Sequence, residues 1–269
     1  MRYHQPMNIG IVQSSPIFGE VERNIADALD LMSSHSADLW VLPELFATGY
    51  QFLGPDEVRE LAERVPSGKT TQALITCAAE TECFVVAGLP EIDGDNVYNS
   101  AILVGPEGFL ARYRKIHLFY EEKLNFAPGN LPFGVVDIGC AKVGMMVCFD
   151  HLFPEAARSL ALQGADIIAH PANLVLPDLA QRTMSIRALE NGVYTATANR
   201  VGTEARADEP LTYTGQSQVI APNGEALVRL CQDQVEVAVV EVDVTKARNK
   251  AITNHNDKLG DRRPNLYRL

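Results

Sequence analysis

Short apolar runs alternate with segments of helical period in the first third of this chain, and their order predicts its fold. Asn8 to Gln13 (NIGIVQ) reads as a strand, ended by Ser14, Ser15 and Pro16. Between Val21 and Ser34, the residues Ile25, Leu29 and Met32 recur on one helical face. The run from Asp38 to Glu44 is a second buried strand, closed by Pro43 and Glu44. Helices over Asp56–Arg64 and Thr70–Glu82 then precede a third strand, Phe84 to Leu89. This β-α-β-α-β opening implies a parallel sheet with helices packed on it.

The pattern then changes. Tyr98–Val104 and Phe109–His117 are strand-like runs around Gly105-Pro106-Glu107-Gly108, a hairpin signal. Val135–Ile138 and Val143–Val147 form a second hairpin around Gly139. Cys148 follows at the strand end, on a short turn feeding a helix that starts at Pro154 and stops at Gly164. A strand ending in His170-Pro171, a helix over Gln181–Glu190, and a strand Val193–Ala198 come next. Tyr213–Ala221 and Ala226–Leu230 make a third hairpin, and Val237–Val242 is the last strand. Hairpins mixed with βαβ units, and no linker-like stretch, predict one domain spanning 1–269 with two packed sheets covered by helices. The tail, ending Tyr267-Arg268-Leu269, is polar and frays unless it docks on something.

Composition narrows the function. With 269 residues, 46% hydrophobic and 21% charged, the chain is sized for a substantial core. Its net charge of −11 argues against a nucleic-acid surface. No apolar run approaches a membrane span, and Met1 to Pro6 lacks the apolar core of a signal peptide, so a cytoplasmic location is expected. The five cysteines form no CxxC pair, which suits reduced thiols rather than a disulfide frame or zinc site. HxxxH, HExxH, GxGxxG and Walker patterns are absent, so metal hydrolysis and nucleotide phosphates drop out.

Three residue types then stand out. A thiol at the end of a buried strand, Cys148, can face a crevice beside free backbone N–H groups, although buried cysteines are commonly inert. Glu44 ends the apolar run Trp40-Val41-Leu42, where a desolvated carboxylate is a usable general base; an exposed loop carboxylate fits the local sequence equally well. Lys115 alternates with Tyr113 on one face of its run, which by itself reads as an edge strand studded with charge. Glu121 and Glu122 follow in what reads most simply as a solvated turn. His117, His151 and His170 offer a rival Cys–His arrangement.

Together these pieces resemble the nitrilase, or carbon–nitrogen hydrolase, superfamily over almost the whole chain. The matching blocks are Leu42-PELFATGY-Tyr50, Tyr98-NSAILVGPEG-Gly108, Tyr113-RKIHLF-Phe119, Gly144-MMVCFDHLFPE-Glu155, His170-PAN-Asn173, Arg187-ALENGVY-Tyr194 and Asp261-RRPNLY-Tyr267. The resemblance implies a four-layer αββα sandwich that dimerises through the C-terminal tail, about 245–269, with no cofactor and no metal. It places a Glu–Lys–Cys triad on Glu44, Lys115 and Cys148, and an additional glutamate on Glu122, with Glu121 adjacent. It also implies a backbone oxyanion donor at Phe149 and pocket neighbours at Phe46, Tyr50, Phe119 and Asn173.

The activity implied is cleavage of a non-peptide C–N bond in a small amide through a cysteine thioester. Phe149 stands where nitrile-cleaving members usually carry Trp, which leans toward the amidase and carbamoylase branches. Aliphatic nitriles, carbamoyl compounds and an inactive dimeric scaffold are the alternatives. No arginine offers itself as a carboxylate anchor.

Overall fold

Alternate residues of the first strand, β1 (Pro6–Gln13), enter two different cores. Met7, Ile9 and Ile11 join one with Val41, Val143 and Ile167, while Val12 joins another with Ile25, Met32 and Trp40. A Cβ on Gly10 would lie 2.3 Å from the Trp40 ring, so glycine is what admits the indole against the strand. The structure is a computed structural model that describes residues 6–267. The residues before Pro6, including most of the segment read above for a signal peptide, and the tail residues Arg268 and Leu269 lie outside the described residues.

From β1 the chain runs through α1 (Val21–Ser33), β2 (Leu39–Val41), α2 (Pro55–Leu61), α3 (Lys69–Thr81), β3 (Phe84–Asp93), β4 (Asn96–Gly105) and β5 (Gly108–Arg114). It continues through α4 (Glu122–Asn125), β6 (Val135–Asp137), β7 (Lys142–Met145), a 3₁₀ turn (Cys148–Leu152), α5 (Pro154–Leu162), β8 (Ile167–Pro171), α6 (Leu179–Asn191) and β9 (Tyr194–Ala198). Two short strands, β10 (Thr203–Glu204) and β11 (Leu211–Thr212), precede β12 (Gln218–Ile220), β13 (Ala226–Arg229) and β14 (Glu236–Asp243). The tail holds α7 (Thr245–Arg248), β15 (Ala251–Thr253) and β16 (Asn256–Asp257).

One sheet is ordered β14-β1-β2-β3-β4-β5, the other β13-β12-β9-β8-β7-β6. Each contains a parallel trio, β1-β2-β3 and β7-β8-β9, flanked by antiparallel strands. Read from β14 and from β6, the two sheets carry the same pattern of one antiparallel strand, three parallel and two antiparallel. Residues of both sheets share the central core, Leu74 and Ala78 of α3 cover the first sheet, and Ala157, Leu160 and Met184 of α5 and α6 cover the second. The expected αββα sandwich is what forms. Strands buried on both faces explain the near-continuous apolar runs of the sequence.

Two expectations change. The stretch Phe119–Phe126, read as a solvated turn, contains α4, whose Glu122 is buried. β5 is the expected edge strand, but Arg114 is buried and, with the partly exposed Arg112, binds the fully buried carboxylate of Glu91. No helix among the described residues is long and apolar enough to cross a membrane.

Candidate active site

Strand β7 delivers Cys148 to a sharp turn. Its φ of 44° lies in the left-handed region, unusual for a residue with a Cβ. Asp150 secures the turn: its buried carboxylate accepts from the Val147 N–H at 2.8 Å and from the Tyr113 hydroxyl at 2.8 Å. Among the described residues the Phe149 N–H finds no hydrogen-bond partner, a rarity for a backbone donor in a buried turn.

Glu44 follows β2, and its backbone packs directly on β3. A Cβ on Gly88 would come within 2.5 Å of Glu44 Cα, so this close approach requires glycine. Gly88 N–H donates to Pro43 O at 3.1 Å, and Asn173 Nδ2 donates to Glu44 O at 2.9 Å. The side chain is fully buried. Its Oε1 accepts from Asn99 Nδ2 and Lys115 Nζ, each at 2.7 Å, while Oε2 has no partner.

Lys115, just beyond β5, is also fully buried, which overturns its local reading as an edge-strand charge. Its backbone is held on both sides, donating to Asn99 O and accepting from Gly129 N–H, each at 2.8 Å. Nζ donates to Glu44 Oε1 and Glu122 Oε1, each at 2.7 Å, leaving the third ammonium hydrogen uncommitted. Burial works against its charge, but Glu122 and Glu44 outweigh burial and hold its pKa above the ordinary lysine range.

Glu122, not its neighbour Glu121, joins this cluster. It accepts from the Tyr50 hydroxyl at 2.6 Å and from Phe119 N–H at 3.1 Å. Burial pushes its carboxyl up to about 6, against the lowering pull of Lys115. The Cys148 thiol is pushed well above its usual value by burial and then by Glu44, so the thiol stays neutral beside Glu44 and Lys115. Its one hydrogen-bond contact among the described residues is Asn173 O, 3.8 Å from Sγ.

The thiol opens on a narrow cleft of about 300 Å³, open solvent at its mouth included, lined by Phe119, Phe149, His151, Asn173 and Leu176 among others. Phe119 and Asn173 are thus pocket neighbours. Tyr50 meets Glu122 through its hydroxyl, and Phe46 packs in the helix-side core with Leu42 and Trp40. The rival histidines do not serve the sulfur: His170 bonds the Cys148 carbonyl, His151 bonds Thr183, and His117 bonds Asp150. Burial lowers the pKa of His170, and that of His151 to about 3, so both are neutral. No metal-holding cluster occurs among the described residues. Sequence reading missed Asn99, an amide beside Ser100 just ahead of the apolar run of β4.

Residues 8–251 match the family model described as carbon-nitrogen hydrolase. A nitrilase of Pyrococcus abyssi is 50% identical over 97% of this chain and 99% of its own length. An (R)-stereoselective amidase of a Pseudomonas species is 32% identical over 96% of this chain and 92% of its own. Among solved structures, a variant of the amidase from Nesterenkonia sp. AN1 superimposes with a TM-score of 0.80 at 26% identity, covering 99% of this chain and 97% of that one. In that structure the acetamide moiety of fluoroacetamide is added covalently to the active-site cysteine. A match of this extent, on a sandwich of this topology, makes the chain a member of the carbon–nitrogen hydrolase family within the nitrilase superfamily.

Proposed function

We propose that this chain hydrolyses small, uncharged aliphatic amides through a thioester on Cys148, with Glu44 as proton carrier and Lys115 as oxyanion donor. The observation that carries the reading is the fully buried ammonium of Lys115 clamped between Glu44 and Glu122 beside a strand-end thiol. A scaffold without turnover gains nothing from a buried lysine and two buried carboxylates, which are costly to desolvate.

Glu44 Oε2 takes the Sγ proton, and the thiolate attacks the amide carbonyl carbon. The oxyanion accepts from the third hydrogen of Lys115 Nζ and from the unpartnered Phe149 N–H. Glu44 returns the proton to the amide nitrogen as the C–N bond breaks, releasing ammonia and leaving the thioester. Water, deprotonated by Glu44, attacks that thioester, and the acid departs as the thiol reforms. The raised thiol pKa fits this scheme, since a thiol that stays protonated at rest needs an internal base. Glu122 and Tyr50 hold the lysine in place.

The cleft walls are mostly apolar and carry no arginine or lysine among their described residues, which favours short uncharged acyl groups over carbamoyl amino acids. The nitrile is the second reading, favoured by the 50% identical nitrilase relative. Thiolate addition to a nitrile carbon gives a thioimidate, and water converts that to the same thioester with loss of ammonia. Ammonia release measured over matched pairs, propionamide with propionitrile and butyramide with butyronitrile, tests both. Faster amide turnover supports the first reading, faster nitrile turnover the second. Loss of neither activity in Cys148→Ala overturns the thioester scheme.

A further inference from the structure

We propose that His170 is a positioning residue for oxyanion stabilisation, acting through the Cys148–Phe149 peptide rather than on the thiol. The inference rests on the reading of Phe149 N–H as an oxyanion donor. His170, fully buried at the end of β8, lies with Nε2 2.9 Å from the carbonyl oxygen of Cys148. A carbonyl only accepts, so Nε2 carries the hydrogen. A neutral imidazole has one N–H, which leaves Nδ1 bare to accept from the Thr197 hydroxyl at 3.0 Å. Thr197 stands opposite His170 in the parallel pairing of β8 with β9, so two adjacent strands fix the tautomer.

The consequence follows from the planar amide. The carbonyl of Cys148 and the N–H of Phe149 belong to one trans peptide unit and point in opposite directions. A donor anchored on that carbonyl therefore decides where the N–H points. The anchor has something to resist: Cys148 sits at a φ of 44°, a conformation that a side-chain-bearing residue tends to leave. The same hydrogen bond polarises the amide, which strengthens its N–H as a donor. An N–H without any partner among the described residues, next to the nucleophile and backed by a fully buried imidazole, is what a preformed oxyanion donor requires.

Three probes separate this role from a merely structural one. Iodoacetamide alkylation of Cys148 needs the thiolate but no oxyanion donor. Acylation by propionamide and reversible inhibition by propionaldehyde, which forms a tetrahedral hemithioacetal, need both. His170→Leu is expected to slow acylation and weaken propionaldehyde by about tenfold or more, short of the 10²–10³ for outright loss of a donor, with alkylation changed less than about twofold. His170→Gln, whose side-chain amide can donate to the same carbonyl, should recover most of the loss. Thr197→Val, a gentler change that frees the tautomer, should show the same split at smaller amplitude and keeps the test open if His170→Leu does not fold. Alkylation falling in step with acylation, or acylation unaffected in all three variants, overturns the proposal. A wild-type enzyme that is alkylated but reacts with neither propionamide nor propionaldehyde overturns the amide-cleaving reading itself.

Discussion

Lys115 Nζ and Glu44 Oε1 lie 2.7 Å apart, and this contact, shared with Asn99, leaves Glu44 Oε2 buried with no partner among the described residues. One carboxylate oxygen is saturated and the other is free to take a proton. Glu44→Gln keeps an oxygen for Lys115 but replaces the proton acceptor with an amide. Its kcat is expected to fall by about 10²–10⁴, the range lost with a general base. Iodoacetamide alkylation should slow as well, because the thiol no longer has an internal base. Alkylation at the wild-type rate would show that Glu44 does not deprotonate Cys148.

Lys115→Gln separates two pictures of the same residue. A lysine on a solvated strand edge can be replaced with little effect on rate or stability. A buried oxyanion donor cannot, and kcat is expected to fall by about two to three orders of magnitude. Acylation monitored by mass spectrometry should slow in parallel, since the first tetrahedral intermediate loses its charged donor. Near-wild-type acylation would remove Lys115 from the chemistry.

How much of this was legible in the sequence depends on the length scale of the signal. The order of strands and helices follows from local periodicity, and the turn at Cys148 from an apolar run meeting Phe149-Asp150 and Pro154. Burial of Lys115 is not local. It depends on Glu44 after β2 and Glu122 in α4 converging on one point, at sequence separations of 71 and 7 residues. Burial of Arg114 is non-local for the same reason, because Glu91 of β3, across β4, holds the guanidinium. Phe46, next but one to Glu44, packs in the helix-side core with Leu42 and Trp40, a contact between elements that local pattern does not carry.

The pH profile should carry the signature of Glu122. Its carboxyl is pushed up to about 6 by burial, and it accepts from Lys115 and Tyr50 as an ion. As pH falls through 6 the group gains a proton, loses its negative charge and loosens the lysine. Activity is therefore expected on the alkaline side of about 6 and to decline below it. Glu122→Gln should remove that acid limb and lower the plateau. An unchanged limb in the variant would assign it to another group.

The last prediction concerns assembly. Isolated exposed apolar residues are normal, but contiguous ones mark an interface. Leu189 of α6, Leu227 of β13 and Ile252 of β15 are all substantially exposed and line one surface depression. Ile252 and Leu227, at 65% and 44% exposure, offer apolar area that their own chain leaves uncovered. A homodimer joined over this face is expected, with light scattering giving about twice the 29.4 kDa of the chain. Replacing both Leu227 and Ile252 by Asp places charges in the interface and should yield a monomer. A wild-type monomer at micromolar concentration with full activity would refute the dimer, while a dimer untouched by the double substitution would move the interface to another face.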